Sequence, residues 1–277
     1  MTTEQEWRLL RTGKKCGAEN MAVDEAILIA GGEGKAPPTI RFYGWDPPTL
    51  SIGYFQRAAR EVDFERLKRR GLGFVRRPTG GRAVLHDREL TYSVIVSESV
   101  PGMPSSVVQS YRVISTGLLE GFRLLGLSAE MVSLEGQSTR LGSPDSAACF
   151  DSPSWYELVV EGKKVAGSAQ IRQRGMILQH GSILLDLDAD LLFDVLRFPS
   201  ERVKERLKRT FLEKAVAINQ LRRPPVTPEE AEKAFVEGFA RGLGIRLVEG
   251  ELTSYERELA EALVRTRYAT DEWNMKR

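Results

Sequence analysis

Cys149 and Lys164 are fifteen residues apart and carry the reactivity most easily read from this chain. Cys149 sits in Ser146-Ala147-Ala148-Cys149-Phe150-Asp151, and Lys164 in Gly162-Lys163-Lys164-Val165-Ala166-Gly167-Ser168-Ala169-Gln170. A thiolate, not a thiol, is the nucleophile, and a neighbouring ammonium favours it. Successive side chains on a strand point to opposite faces, so one of Lys163 and Lys164 must face inward or toward a cleft. The bland alternatives are a buried inert cysteine and a solvated lysine. Cys16 competes for the nucleophile's role, since Lys14 and Lys15 beside it would also favour thiolate. It has no glycine-rich pocket motif nearby and ranks second.

The second feature is the stretch from Phe74 to Asp87, Phe-Val-Arg-Arg-Pro-Thr-Gly-Gly-Arg-Ala-Val-Leu-His-Asp. Pro78 cannot donate to a sheet ladder and should end a strand over 73–77. Gly80-Gly81 permits a backbone path closed to other residues, or a close approach to a ligand. With Arg76, Arg77 and Arg82 around it and His86 after it, the turn reads as part of a pocket for an acyl or phosphate group. The plain alternative is a solvated turn. His86 is either a general base or a hydrogen-bonded structural residue. Ser182, His86 and Asp87 invite comparison with a Ser/His/Asp triad, but no Gly-x-Ser-x-Gly elbow exists. A Walker A loop and a Rossmann glycine fingerprint are missing. Two cysteines and two histidines without ligand spacing argue against a zinc site and against a structural disulfide.

The elements that must hold these residues follow from pattern and punctuation. Strands are expected over 7–10, 39–45, 49–53, 73–77, 83–85 and 90–96, then over 156–160, 164–171, 176–187 and 245–248. Helices are expected over 19–29, 63–70, 107–125, 189–196 and 201–209. The 107–125 helix puts Tyr111, Ile114, Leu118, Phe122 and Leu125 on one face. Thr227-Pro228-Glu229-Glu230 has capping-box spacing with proline at the first helical position, and its helix should bury Ala231, Ala234, Phe235, Phe239 and Leu243. A last helix is expected over 253–268. The polar stretch 133–147 reads as a mobile loop leading to Cys149.

With 42% hydrophobic and 28% charged residues, the 277-residue chain has the profile of a soluble protein with a full-sized core. A net charge of +2 argues against nucleic-acid binding by bulk charge. No apolar run approaches a membrane span, and the polar start lacks a signal-peptide core, so the expected location is the cytoplasm.

Taken together, three ordered motifs resemble the lipoate-protein ligase and octanoyltransferase group, whose catalytic domain is similar to that of biotin protein ligases. Arg76–Asp87 looks like its glycine-rich acyl-binding segment. Lys164–Gln170 looks like its signature lysine segment, and Gln179-His180-Gly181-Ser182-Ile183 like the adjoining pocket strand. Cys149 in an Ala-Cys-Phe-Asp setting is similar to the cysteine of the octanoyltransferases of Gram-positive bacteria. The resemblance implies an α/β (α+β) fold with a mixed, largely antiparallel sheet flanked by helices. It also implies a catalytic domain over 1–250 with a helical extension over 251–277 packed on it. It implies transfer of octanoyl from acyl carrier protein to a lysine of a lipoyl carrier protein, the glycine-cleavage H protein foremost. No cofactor, nucleic acid or membrane is involved, and the chain is expected to be a monomer. By the same resemblance, Cys149 is the acyl-thioester nucleophile and Lys164 lowers its pKa and holds the carbonyl. Arg76, Thr79, Gly80, Gly81, Arg82, His86, Gly167, Ser168, Ala169, His180, Gly181, Ser182 and Ile183 surround the acyl group. Rival readings are an ATP-dependent ligase on the same fold, an amidotransferase taking octanoate from the H protein, and a non-catalytic acyl- or nucleic-acid-binding module.

Overall fold

A computed structural model describes residues 5–133 and 156–276; Cys149 and the loop expected beyond Ser133 lie outside them. Among the described residues an eight-stranded sheet forms the centre. Its strands are β1 (Gln5–Lys15), β2 (Thr39–Trp45), β6 (Glu89–Ser97), β7 (Ala129–Ser133), β8 (Tyr156–Val160), β9 (Lys163–Gln173), β10 (Met176–Leu184) and β11 (Ile245–Glu249), in the order β11-β1-β2-β6-β10-β9-β8-β7. β1 runs parallel to both its neighbours, and the other pairs are antiparallel. The mixed, largely antiparallel sheet of an α+β fold is thus present.

Both faces of this sheet are covered, so its strands are apolar at consecutive positions rather than at alternate ones. Leu9, Ile40, Phe42, Val94, Val96 and Ile177 join a core with α4 (Val107–Leu124) and α8 (Pro228–Leu243). Leu10, Tyr43, Trp45, Ile95 and Leu178 face α1 (Gly17–Gly32). α1 is buried around most of its circumference, because α9 (Ser254–Leu263) packs on its outer side. That position forces partners on its polar residues. Tyr268, in a π-helical turn (Val264–Tyr268), donates its hydroxyl to Glu25 at 2.7 Å. The helix expected over 253–268 is therefore an α-helix that widens at its end.

The glycine stretch is not a hairpin. β3 (Thr49–Ile52), β4 (Gly73–Arg76) and β5 (Val84–His86) make a separate small sheet in which β3 lies between the other two. The chain leaving β4 at Pro78 must cross the end of β3 before β5 begins. Gly81, at φ +94°, allows that path, and its carbonyl lies where a Cβ on Gly53 would stand. α2 (Ala58–Glu61), α3 (Phe64–Arg69), α5 (Ala189–Asp194) and α6 (Glu201–Lys214) cover the small sheet around Leu67, Phe193, Leu207 and Phe211. The short helices α7 (Ile218–Leu221) and α10 (Asp271–Asn274) were not expected from the sequence; each is a single turn, too short for periodicity to register.

Candidate active site

The register of the large sheet stacks polar side chains on its α1 face. One transverse row pairs Arg41 with Ser93, Ser93 with His180, and His180 with Ala169. The next row pairs Tyr43 with Thr91, Thr91 with Ser182, and Ser182 with Gly167. Between these rows, α1 and the glycine stretch lies a cavity. Its mouth is formed by Gly81, Gly167, Ser168, Ala169 and Gly181, all at least partly exposed. Its floor is Met21, Tyr43, Trp45, His86 and Thr91, all buried. Gly181 has no room for a side chain, since a Cβ there would stand 2.5 Å from the Gly167 carbonyl oxygen.

Asp24 of α1 organises the first row. Its Oδ1 accepts from Arg41 Nη1 at 2.7 Å and Ser93 Oγ at 2.9 Å, and its Oδ2 from Tyr43 Oη at 3.0 Å. Burial pushes this carboxyl up, but Arg41 and His180 hold it below the ordinary value. His180 Nδ1 donates to Asp24 Oδ2 at 3.4 Å, which leaves Nε2 to accept from Thr79 Oγ1 at 2.7 Å. Burial pushes the His180 pKa down against the pull of Asp24, so the ring is neutral at pH 7. Asp24 had no place in the sequence reading. Two adjacent acids inside an otherwise apolar helical run, Met21-Ala22-Val23-Asp24-Glu25-Ala26-Ile27, are the signal that marks it.

Glu89 organises the second row and the glycine stretch. His86 Nδ1 donates to Glu89 Oε1 at 2.7 Å, and Ser182 and Thr91 hydroxyls also donate to this carboxylate. The other ring nitrogen, Nε2, accepts from Ser51 Oγ at 2.6 Å, which in turn accepts from Arg77 Nη1 at 2.7 Å. His86 stacks on Trp45 with ring centres 4.0 Å apart. Both nitrogens of both histidines are thus engaged by protein groups. His86 is a hydrogen-bonded residue on the cavity floor, and Ser182 serves Glu89 rather than a triad with His86 and Asp87.

Of the expected substrate-binding residues, Gly81, His86, Gly167, Ser168, Ala169, His180, Gly181 and Ser182 line the cavity. Thr79 stands one hydrogen bond behind it, on His180. Gly80 and Arg82 do not line it; their carbonyls accept from Arg77 Nη2 at 3.1 and 2.9 Å. Arg76 requires a correction. Its guanidinium is fully buried and donates to backbone carbonyls, because strand alternation turns it away from the side Arg77 faces. Ile183 is corrected for the same reason, pointing into the α4 and α8 core while Ser182 faces the cavity. Arg77, expected beside the glycine turn, and Val84, inside the expected span 79–86, line the cavity too, and Met21, Tyr43, Trp45 and Thr91 line it without having been expected.

Lys164 is the buried lysine of the adjacent pair, and Lys163 the exposed one. Its Nζ donates to Glu157 Oε1 at 3.0 Å, and its carbonyl accepts from Val216 N–H at 3.0 Å. Three residues further along β9 the strand reaches the cavity at Gly167. Cys16, at the N-terminus of α1, does not carry the activated thiol that Lys14 and Lys15 suggested. Burial raises its pKa, and the Glu19 carboxylate beside it adds to the rise.

Residues 16–240 match the lipoyl protein ligase A/B catalytic domain family. Octanoyltransferase LipM of Kyrpidia tusciae is 65% identical over 274 residues, covering 99% of this chain and 100% of that protein. Octanoyltransferase LipM of Bacillus subtilis is 58% identical over 276 residues, 99% of each chain. Among solved structures, one from the analysis of an archaeal lipoylation system, a bipartite lipoate protein ligase and its E2 lipoyl domain from Thermoplasma acidophilum, matches at 28% identity with a TM-score of 0.81. The match covers 98% of this chain and 96% of that one.

Proposed function

We propose that this chain, which belongs to the lipoyl protein ligase A/B catalytic domain family and is an octanoyltransferase of lipoate biosynthesis, works through Cys149. The donor in this proposal is octanoyl acyl carrier protein, and the acceptor is a lysine of a lipoyl carrier protein, the glycine-cleavage H protein foremost. The chain acts as a monomer in the cytoplasm. The observation that supports the reading is the buried Lys164 ammonium at 6% exposure, on the strand that continues into the cavity wall.

The chemistry needs no nucleotide. Cys149 Sγ attacks the carbonyl carbon of the donor thioester, the donor's carbon–sulfur bond breaks, and the donor thiol leaves with a proton. One thioester replaces another, at little free-energy cost. The acceptor lysine, as the neutral amine, then attacks the new thioester. An amide forms, the carbon–sulfur bond to Cys149 breaks, and the proton lost by the amine returns the thiol. Splitting the reaction lets the two carrier proteins visit in turn. Lys164 favours the Cys149 thiolate and donates toward the developing oxyanion. The acyl tail enters between Gly81 and Gly167–Ala169 toward Met21 and Trp45. The cavity's free space is about 40 Å³, whereas about 150 Å³ holds benzene in an apolar cavity. The tail therefore displaces part of the wall, of which the flexible Met21 thioether is the most adaptable piece.

Incubation with octanoyl acyl carrier protein alone should leave one octanoyl group on Cys149. Neutral hydroxylamine should release it, and an acceptor domain should discharge it at a rate compatible with turnover. An adduct that never passes to any lipoyl domain would defeat the mechanism.

A further inference from the structure

Arg76 belongs to the glycine-rich motif yet faces away from the cavity. It ends β4, two residues before Pro78, and is fully buried. Its guanidinium donates to six backbone carbonyls from two separate places in the chain. Nη1 donates to Gly53, Tyr54 and Gln56, at 3.1, 3.0 and 2.8 Å. Nε donates to Trp273 at 3.0 Å, and Nη2 to Asn274 at 3.0 Å and Lys276 at 2.5 Å. The backbone of Arg76 is held from the same side. Its N–H donates to Asn274 Oδ1 at 2.8 Å, and its carbonyl accepts from Trp273 Nε1 at 2.9 Å.

Segment 53–56 in turn touches the mouth of the cavity. Tyr54 N–H donates to the Thr79 carbonyl at 2.8 Å, and Gly53 packs on the Gly81 carbonyl. Thr79 carries the hydroxyl that His180 accepts, and Gly81 lines the cavity. The C-terminal segment is itself anchored to the core, since Asn274 Nδ2 donates to the Tyr268 carbonyl at 2.8 Å and Tyr268 reaches Glu25 of α1. A buried guanidinium that loses part of its acceptors leaves those N–H groups desolvated and unpaired, so holding one set of carbonyls favours holding the other.

We infer that residues 270–276 are a strap that positions the glycine loop of the acyl site through Arg76, making Arg76, Trp273 and Asn274 positioning residues for octanoyl binding. This inference rests on the acyl-transfer reading above. Gly81 is the wall against which the acyl chain is held, and segment 53–56 with Thr79 backs it. The strap clamps them without touching the substrate.

The test uses the full chain with Asn274→Ala and the milder Trp273→Phe, which keeps an aromatic ring and removes the indole N–H donated to Arg76. Two readouts are taken: amide hydrogen exchange of the free protein, and kcat and KM for octanoyl carrier protein. The expected result is exchange of the Tyr54 amide at least about tenfold faster, the equivalent of one lost hydrogen bond, with β8 and β10 amides unchanged. KM should rise about as much while kcat moves less than twofold. Equal acceleration of loop and sheet amides would reduce the strap to general stability and overturn the inference, as would unchanged Tyr54 exchange. If exchange changes as expected but the wild type shows no octanoyl turnover, the functional reading has failed and the mechanical coupling stands.

Discussion

At the scale of single residues, the two cysteines are set apart by their surroundings. Cys16 has its pKa raised, first by burial and then by Glu19. Its alkylation by iodoacetamide should be slow at neutral pH and should rise only above the range of an ordinary thiol. Cys16→Ala should leave octanoyl transfer near the wild-type rate, while Cys149→Ala should abolish it. Exchanged phenotypes would move the nucleophile. Lys164→Ala should slow transfer by at least about tenfold and raise the pH at which Cys149 alkylates. An unchanged alkylation profile would limit Lys164 to placing the substrate. His180 supplies a pH test. Burial lowers its pKa in the folded protein below the unfolded value of about 6.5, so the unfolded chain binds the proton more readily. The stability this neutral ring contributes is whole above about pH 6.5 and is lost as pH falls from there toward the folded pKa. Between pH 7.5 and 5.5 the wild type should lose up to about 1 kcal/mol more unfolding free energy in urea than His180→Gln does. Parallel curves would show that His180 is protonated alike in both states.

At the scale of elements, the close crossing of α4 and α8 shows what holds the far face of the sheet. A Cβ on Gly238 of α8 would stand 2.6 Å from Gly121 Cα and 2.7 Å from the Gly117 carbonyl oxygen. Thr116 Oγ1 donates to the Gly242 carbonyl at 2.7 Å across the same crossing. The obstacle to a larger residue is backbone, which cannot step aside as a side chain can. Alanine would gain up to about 1 kcal/mol in helix propensity, against overpacking that costs about 1–3 kcal/mol or more. Gly238→Ala should therefore lower the thermal midpoint. Because the cavity lies on the other face of the sheet, activity per folded molecule should persist at low temperature. A variant as stable as wild type would mean that the helices separate at no cost.

At the scale of the whole molecule, the chain places the proposed acyl cavity between the large sheet, α1 and the small sheet, with the two main helices of the other face uninvolved. A donor that arrives as a thioester already carries its activation. Transfer from octanoyl carrier protein should proceed at the same rate with ATP present, absent or removed by apyrase. Turnover that depends on ATP and free octanoate would instead identify an adenylating ligase.

The sequence by itself determined the main strands and long helices, because each has a local cause. Capping at Asp63, Ser106 and Thr227, proline and glycine stops, and the apolar face of α4 all act within a few residues. It likewise marked the Gly80-Gly81 turn as part of a pocket, whereas Gly167–Ala169 and His180–Ser182 were expected only through the family resemblance. Which arginine faces the cavity was beyond it. Arg76 and Arg77 are neighbours of like charge, and the direction of each is decided by the C-terminal segment about two hundred residues away, which offers carbonyls on one side only. The place of Asp24 was also decided only by the fold. A carboxylate tolerates burial when Arg41, Tyr43, Ser93 and His180 converge on it, and three different strands bring them there. The separation of β3, β4 and β5 into their own sheet has the same origin: pairing is a choice among edges, and no single strand's sequence contains its partner.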